Sequence, residues 1–108
     1  LDRDDVEPDS IDSEGCSPLA RAAAMGHESI VRQLIDQSSV NINCRDNDGY
    51  TPLAWAARRG HTEVVRALVE REVLNKVSKD ADGWTPYQHA MDEGHQAVAR
   101  VIIESLEI

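Results

Sequence analysis

A chain of 108 residues is one small domain, with room for a modest hydrophobic core but not for a deep enclosed active site. Its composition is 41% hydrophobic with no Phe, which suits a helical core of small aliphatic side chains and argues against disorder of the whole chain. A formal net charge of −9 repels polyphosphates at long range and so weighs against nucleic acid as a partner.

That charge is uneven: residues 1–11 carry −4, residues 12–45 carry −1, residues 46–79 carry +1 and residues 80–108 carry −5. Only the middle invites acidic groups. Cys16 and Cys44 make neither a disulfide framework nor the ligand set of a structural zinc site, which fits a reducing compartment. No apolar run approaches the roughly 18 residues of a membrane span, and the opening Leu1-Asp2-Arg3-Asp4-Asp5 has no signal-peptide character. The expectation is an intracellular, cytoplasmic protein with no membrane partner.

The chain is periodic. Gly15, Gly49 and Gly83 lie 34 residues apart, as do Pro18, Pro52 and Pro86. The same offset aligns Asp12, Asp46 and Asp80, then Gly26, Gly60 and Gly94, then His27, His61 and His95. Such self-similarity marks an array of stacked units. In chain order, residues 1–11 read as the tail of a preceding unit or a leader. Leu1 aligns with Ile35, Val69 and Ile103, and Val6 with Val40 and Leu74, so the chain opens inside a unit, as a fragment cut from a longer array would.

The first full unit, residues 12–45, opens with the Asp-x-x-Gly turn signal. Ser17-Pro18 then places a capping hydroxyl before a Pro at the first helical position. A short helix with the small pair Ala22-Ala23 ends at Gly26. A second helix follows, with one apolar stripe at Ile30, Val31, Leu34 and Ile35. The second unit, residues 46–79, repeats this with Thr51-Pro52, Ala56-Ala57, Gly60 and the stripe Val64, Val65, Leu68 and Val69. The third, residues 80–108, has Thr85-Pro86, Gly94 and Val98, Ala99, Ile102 and Ile103. Neither helix of a unit can bury its stripe alone, so the spacing predicts an all-α solenoid of stacked antiparallel helix pairs.

These residues resemble the ankyrin repeat, most closely at Asp46-Asn47-Asp48-Gly49-Tyr50-Thr51-Pro52-Leu53-Ala54-Trp55-Ala56-Ala57-Arg58-Arg59-Gly60-His61. The wording Asp-Asn-Asp-Gly and Trp-Ala-Ala also looks like repeats of large multidomain fungal proteins. The resemblance implies projecting turns between the helix pairs, and partners gripped by turn tips and by the concave row of first helices. It covers the chain apart from the leader. There are departures: the family's usual His after Thr-Pro-Leu is Ala20, Ala54 and Gln88, which removes a partner for the capping hydroxyl, and its usual Gly after the second helix is Ser38 and Glu72. In the third unit Tyr87 stands for Leu19 and Leu53, and Met91 for Ala23 and Ala57, which makes it the least regular unit and a candidate C-terminal cap.

Chemistry is sparse. His27, His61 and His95 sit in successive units that stack roughly 10 Å apart, too far to share a zinc ion with bonds of about 2 Å. They read as histidines bonding backbone near the inter-helix turn. Ser17, Cys16 and Cys44 lack a base that the repeat geometry would bring near, and the glycines form no phosphate loop. No catalytic residue, cofactor or metal is expected, and the chain reads as no enzyme.

The candidate partner-binding residues are Tyr50 and Trp84, which share the unit position of Cys16 in the projecting turn, with the adjacent Asn47, Asp48 and Asp82. Tyr and Trp are enriched among energetic anchors at interfaces, although rings there can also pack along the turn. Trp55 aligns with Arg21 and His89 and reads as packing. Met25, Arg58, Arg59, Asp92 and Glu93 would form a strip graded from apolar to basic to acidic, suited to a partner of matching charge order. Arg58 and Arg59 also complement a helix dipole. The leading function is a protein-binding scaffold. The alternative is a regulatory or targeting segment of a larger enzyme or signalling protein that packs against another domain of the same chain. A monomer is expected, with weak self-association of array ends, through Leu1 and Ile102, Ile103 and Leu106, as a third reading.

Overall fold

A computed structural model describes residues 18–37, 41–71 and 74–106. The expectations for the leader 1–11, Leu1, Cys16, Ser17, Ser38 and Glu72 lie outside the described residues.

Each unit folds as a helix pair: α1 (Pro18–Met25) with α2 (Glu28–Ile35), α3 (Pro52–Arg59) with α4 (Thr62–Val69), and α5 (Pro86–Asp92) with α6 (Gln96–Leu106). The first helices α1, α3 and α5 pack in one row and the second helices α2, α4 and α6 in another. Helices this short are marginal alone in water, so their order comes from packing between rows and between units.

Local signals set the helix ends. Thr51 Oγ1 accepts from Ala54 N at 3.1 Å, and Thr85 Oγ1 from Gln88 N at 3.3 Å, each with Pro at the first helical position. Contrary to expectation, Gln88 does not leave the capping hydroxyl short of a partner: its Oε1 accepts from Thr85 Oγ1 at 3.3 Å, and also from Thr85 N at 2.9 Å, which completes a reciprocal capping box. Thr51, with Ala54 in that place, keeps its backbone bond. At the other end, Gly26, Gly60 and Gly94 have φ of 76°, 77° and 79°. Beyond them, His27, His61 and His95 donate their N–H back to Ala22, Ala56 and Ala90 O, the bond that closes a helix behind a left-handed residue.

The core runs through both rows and all units, with Leu19, Ala23, Val31, Leu53, Ala57, Val64, Val65, Leu68, Ala90, Val98 and Ile102 all buried. Tyr87 packs half-buried against it in the place of Leu53. The stripes on the second helices are buried or half-buried except on the outer faces of the first and third units. Ile30 is 46% exposed where Val64 and Val98 are 1%, because that position faces the preceding unit. Ile103 is exposed because its position faces a following one. Ile102, grouped with the apolar edge by the sequence reading, is instead fully buried.

The units interlock at the glycines. A Cβ built on Gly26 would lie 2.7 Å from the His61 ring, and one on Gly60 2.7 Å from His95. His61 Nε2 is 2.9 Å from Ala24 O, so the histidine does bond backbone, but that of the unit before its own. Gly94 has the same φ with no neighbour within 4 Å of its Cβ position, which separates the two costs of substitution. Gly94→Ala should cost only the left-handed strain of about 1–2 kcal/mol. Gly60→Ala should add a clash of about 1–3 kcal/mol. Urea unfolding followed by circular dichroism measures both, and equal losses would contradict the interlock.

Candidate partner-binding surface

Two of the turns between the helix pairs, at 46–49 and 80–83, share one construction. Asp46 Oδ1 accepts from Asp48 N and Tyr50 N, both at 2.9 Å, and Asp80 Oδ1 accepts from Asp82 N at 2.9 Å and Trp84 N at 3.0 Å. The other carboxylate oxygen reaches into the following helix: Asp46 Oδ2 accepts from Trp55 Nε1 at 2.9 Å, and Asp80 Oδ2 lies 2.6 Å from His89 Nε2. One side chain thus folds the turn and ties it to its own helix. The turns are also tied to each other, Ala81 N donating to Asp48 O at 2.9 Å and Arg45 Nη2 to Lys79 O at 2.8 Å.

Between the turns and the first helices runs a ladder of rings. Trp55 and Tyr50 have centroids 4.7 Å apart, Tyr50 and His89 4.9 Å, and His89 and Trp84 5.2 Å. The tilted geometry suits the ring quadrupoles. Arg59 lies over the Trp55 ring at 5.5 Å and Arg58 over Tyr50 at 5.8 Å. Arg58 Nη1 also donates to Tyr50 Oη at 2.8 Å, and its guanidinium pairs with Glu93 of the next unit at 3.8 Å.

Of the two readings offered for Tyr50, an anchor for a partner or a ring packed along the turn, the geometry favours the second: it is 8% exposed, enclosed by Trp55, His89 and Arg58. Its position lies at the base of the turn, between two helices, and the free ring face that a partner would need is already covered. Trp84, its counterpart in the third unit, is half-buried. Asn47, Asp48 and Asp82 are exposed at the turn tips. Met25, Arg58, Arg59, Asp92 and Glu93 are exposed at the ends of α1, α3 and α5, and the Arg58–Glu93 pair joins part of this strip directly. Trp55 packs, as expected.

Burial raises the Tyr50 phenol above its ordinary value against the pull of Arg58, so it stays a neutral donor and acceptor. Burial would also raise the Asp80 carboxyl, but bonds from Trp84 N, the His89 ring and Asp82 N overbalance it and hold the group below its ordinary value. The Asp-x-x-Gly pattern assigned Asp46 and Asp80 their part in the turn, but not the second bond of each into the following helix, to Trp55 and His89. A signal existed: every Asp of the period is followed nine positions later by a side chain with an N–H donor, Arg21, Trp55 or His89.

A family model described as ankyrin repeats, in 3 copies, matches residues 3–78 and again 39–108. The chain belongs to the ankyrin-repeat family. No curated protein matches it. Ankyrin repeats are generally protein–protein interaction modules and typically non-catalytic. The observed helix rows and turns are therefore an ankyrin stack, and the ring ladder lies where its turns meet its first helices. Among the described residues no group of three or more His, Cys, Asp or Glu is placed to hold a metal ion, and no helix is long and apolar enough to cross a membrane.

The Asp80 latch makes a signed prediction. A depressed carboxyl adds stability that is complete above its unfolded value of about 4 and is lost as pH falls through its lower folded value. Asp80→Asn should therefore cost about 2–3 kcal/mol near neutral pH. That deficit should shrink as urea unfolding is repeated from about pH 5 down to about pH 2. A deficit independent of pH would mean that the carboxylate charge does not matter.

Proposed function

We propose that this chain is a non-catalytic scaffold that recognises a protein partner with its turn tips and its row of first helices. The observation that carries the reading is the ladder Arg59–Trp55–Tyr50–His89–Trp84. It holds the tips and the charged strip in one fixed arrangement, so a docking partner would meet groups that lose little freedom on binding. The contacting residues in this proposal are Asn47, Asp48, Asp82 and Trp84 at the turns, with Met25, Arg58, Arg59, Asp92 and Glu93 on the helices. Tyr50 supports them from beneath.

The charge order favours a partner with acidic groups over the middle unit and basic groups over the third. The net charge of −9 supports a protein rather than a nucleic acid. The sparse cysteines support an intracellular setting, and the proposed solution state is a monomer.

Arg59→Glu combined with Asp82→Lys inverts two exposed charges of the surface and leaves the core untouched. Arg66→Glu on the outer row is the control. In affinity capture, with all chains checked for equal helicity and melting temperature, the double variant should lose its partner by roughly 30-fold or more, as loss of hot-spot contacts does. The control should retain it. Equal capture by the double variant would place recognition elsewhere on the stack.

A further inference from the structure

The row of first helices opens one strip in every unit. Met25, Arg59 and Glu93 share one position of the 34-residue period, and Ala24, Arg58 and Asp92 share the position before it. Arg58 and Arg59 are exposed although their unit has a neighbour on each side, so the strip is open because of its place within a unit. Two of its charges are unpaired. Arg58 pairs with Glu93 at 3.8 Å, whereas among the described residues no ion pair reaches Arg59 or Asp92. Arg59 is nevertheless oriented, 5.5 Å from the Trp55 ring centroid, and a guanidinium stacked on a ring keeps its edge of N–H donors free for a carboxylate. Met25, one unit before it and 56% exposed, adds an unbranched thioether that adapts to an aliphatic side chain.

The strip is thus apolar, basic and acidic from the first unit to the third, and its spacing selects the conformation of a ligand. The row is built on Ala22, Ala23, Ala56, Ala57 and Ala90, all buried. Such small contact residues bring helix axes toward the short end of the roughly 8–10 Å range. A ligand that meets all three units must repeat one face at that interval. A polyproline II chain does so with every third residue, at about 9 Å. A β-strand turns residues i and i+3 to opposite faces, and its step from i to i+2 is only about 7 Å. An α-helix repeats a face every seventh residue at about 10.5 Å, and its diameter of roughly 10–12 Å spreads beyond a strip two residues wide.

We propose that this strip binds a proline-rich segment in the polyproline II conformation. The segment carries an aliphatic side chain, an acid and a base at every third position, set over Met25, Arg59 and Asp92 in that order. Such a segment is already extended when free, so docking orders little further chain. This inference rests on the proposed function for placing the partner on the first helices, and adds the partner's conformation and residue order.

The probe is the end-blocked peptide Leu-Pro-Pro-Glu-Pro-Pro-Lys, titrated into the isotope-labelled chain and followed by NMR. The Met25 methyl and Trp55 indole N–H signals should shift, and the methyls of Ala67 and Val101 on the outer row should not. Leu-Pro-Pro-Lys-Pro-Pro-Glu should bind about tenfold more weakly, because it sets like charges together. The Arg59→Glu, Asp92→Lys chain should reverse that preference. Equal binding of the two peptides, or no shift at millimolar peptide, would overturn the proposal. So would tighter binding by an alanine-rich helical peptide with Leu, Glu and Lys seven residues apart. If the peptides fail while the Arg59→Glu, Asp82→Lys chain still loses its partner in affinity capture, the proposed function stands with a folded partner surface and this inference falls. Shifts confined to the outer row would overturn both.

Discussion

Each of the two Asp-x-x-Gly turns, at 46–49 and 80–83, depends on a single carboxylate used at both ends. Asp46 and Asp80 spend one oxygen on two backbone N–H groups of the turn and the other on a donor in the following helix. A turn held only by its own backbone bonds would hinge against the stack, because the helices that follow are too short to be rigid by themselves. The second bond removes that hinge. It also sets the Trp55 and His89 rings where Tyr50 can pack between them, so the ring ladder follows from the latch. For Asp80, burial opposes the charge, and the bonds it accepts more than offset that opposition.

The same economy governs the joints between units. A left-handed residue is needed to close each first helix, and glycine meets that need without a Cβ. The space left by the missing Cβ is then occupied by the next unit's histidine, so the residue that ends a helix also admits its neighbour. The joint is directional. One side offers a glycine and a small residue, the other a histidine, and the two faces of a unit are therefore unlike. This is why equivalent positions differ so sharply in exposure between the first, second and third units.

Much of this was legible in the sequence, for a physical reason. Helix caps and left-handed glycines are local devices whose residue types are nearly obligatory, and a period of 34 showed them three times over. The ladder was harder to see. The ring of Tyr50 is buried because a helix of the next unit brings His89 against it, and nothing in residues 46–51 alone distinguishes that from a ring pointing at solvent. The cross-unit function of His61 was hidden likewise, since its bond partner Ala24 is a backbone atom and carries no side-chain signature. Gln88 shows the opposite case, a departure from the family pattern that preserves the chemistry. An amide in place of an imidazole still gives the capping hydroxyl a partner, so a mismatch in residue type was not a mismatch in bonding.

In the function proposed, recognition rests on fixed spacing more than on any single contact. The Arg58 and Arg59 side chains are exposed and long, and free in solution they would lose rotamer entropy on binding. Here one is held by the Tyr50 hydroxyl and Glu93 and the other lies over Trp55, so part of that entropy is already lost in the folded chain. The strip also changes sign between the second and third units, and the Arg58–Glu93 pair sits on the boundary. A partner that placed an acid over Arg58 would have to compete with Glu93, which penalises a uniformly acidic surface and favours one that changes sign at the same place. Selectivity in this reading comes from the pairing that already exists within the scaffold.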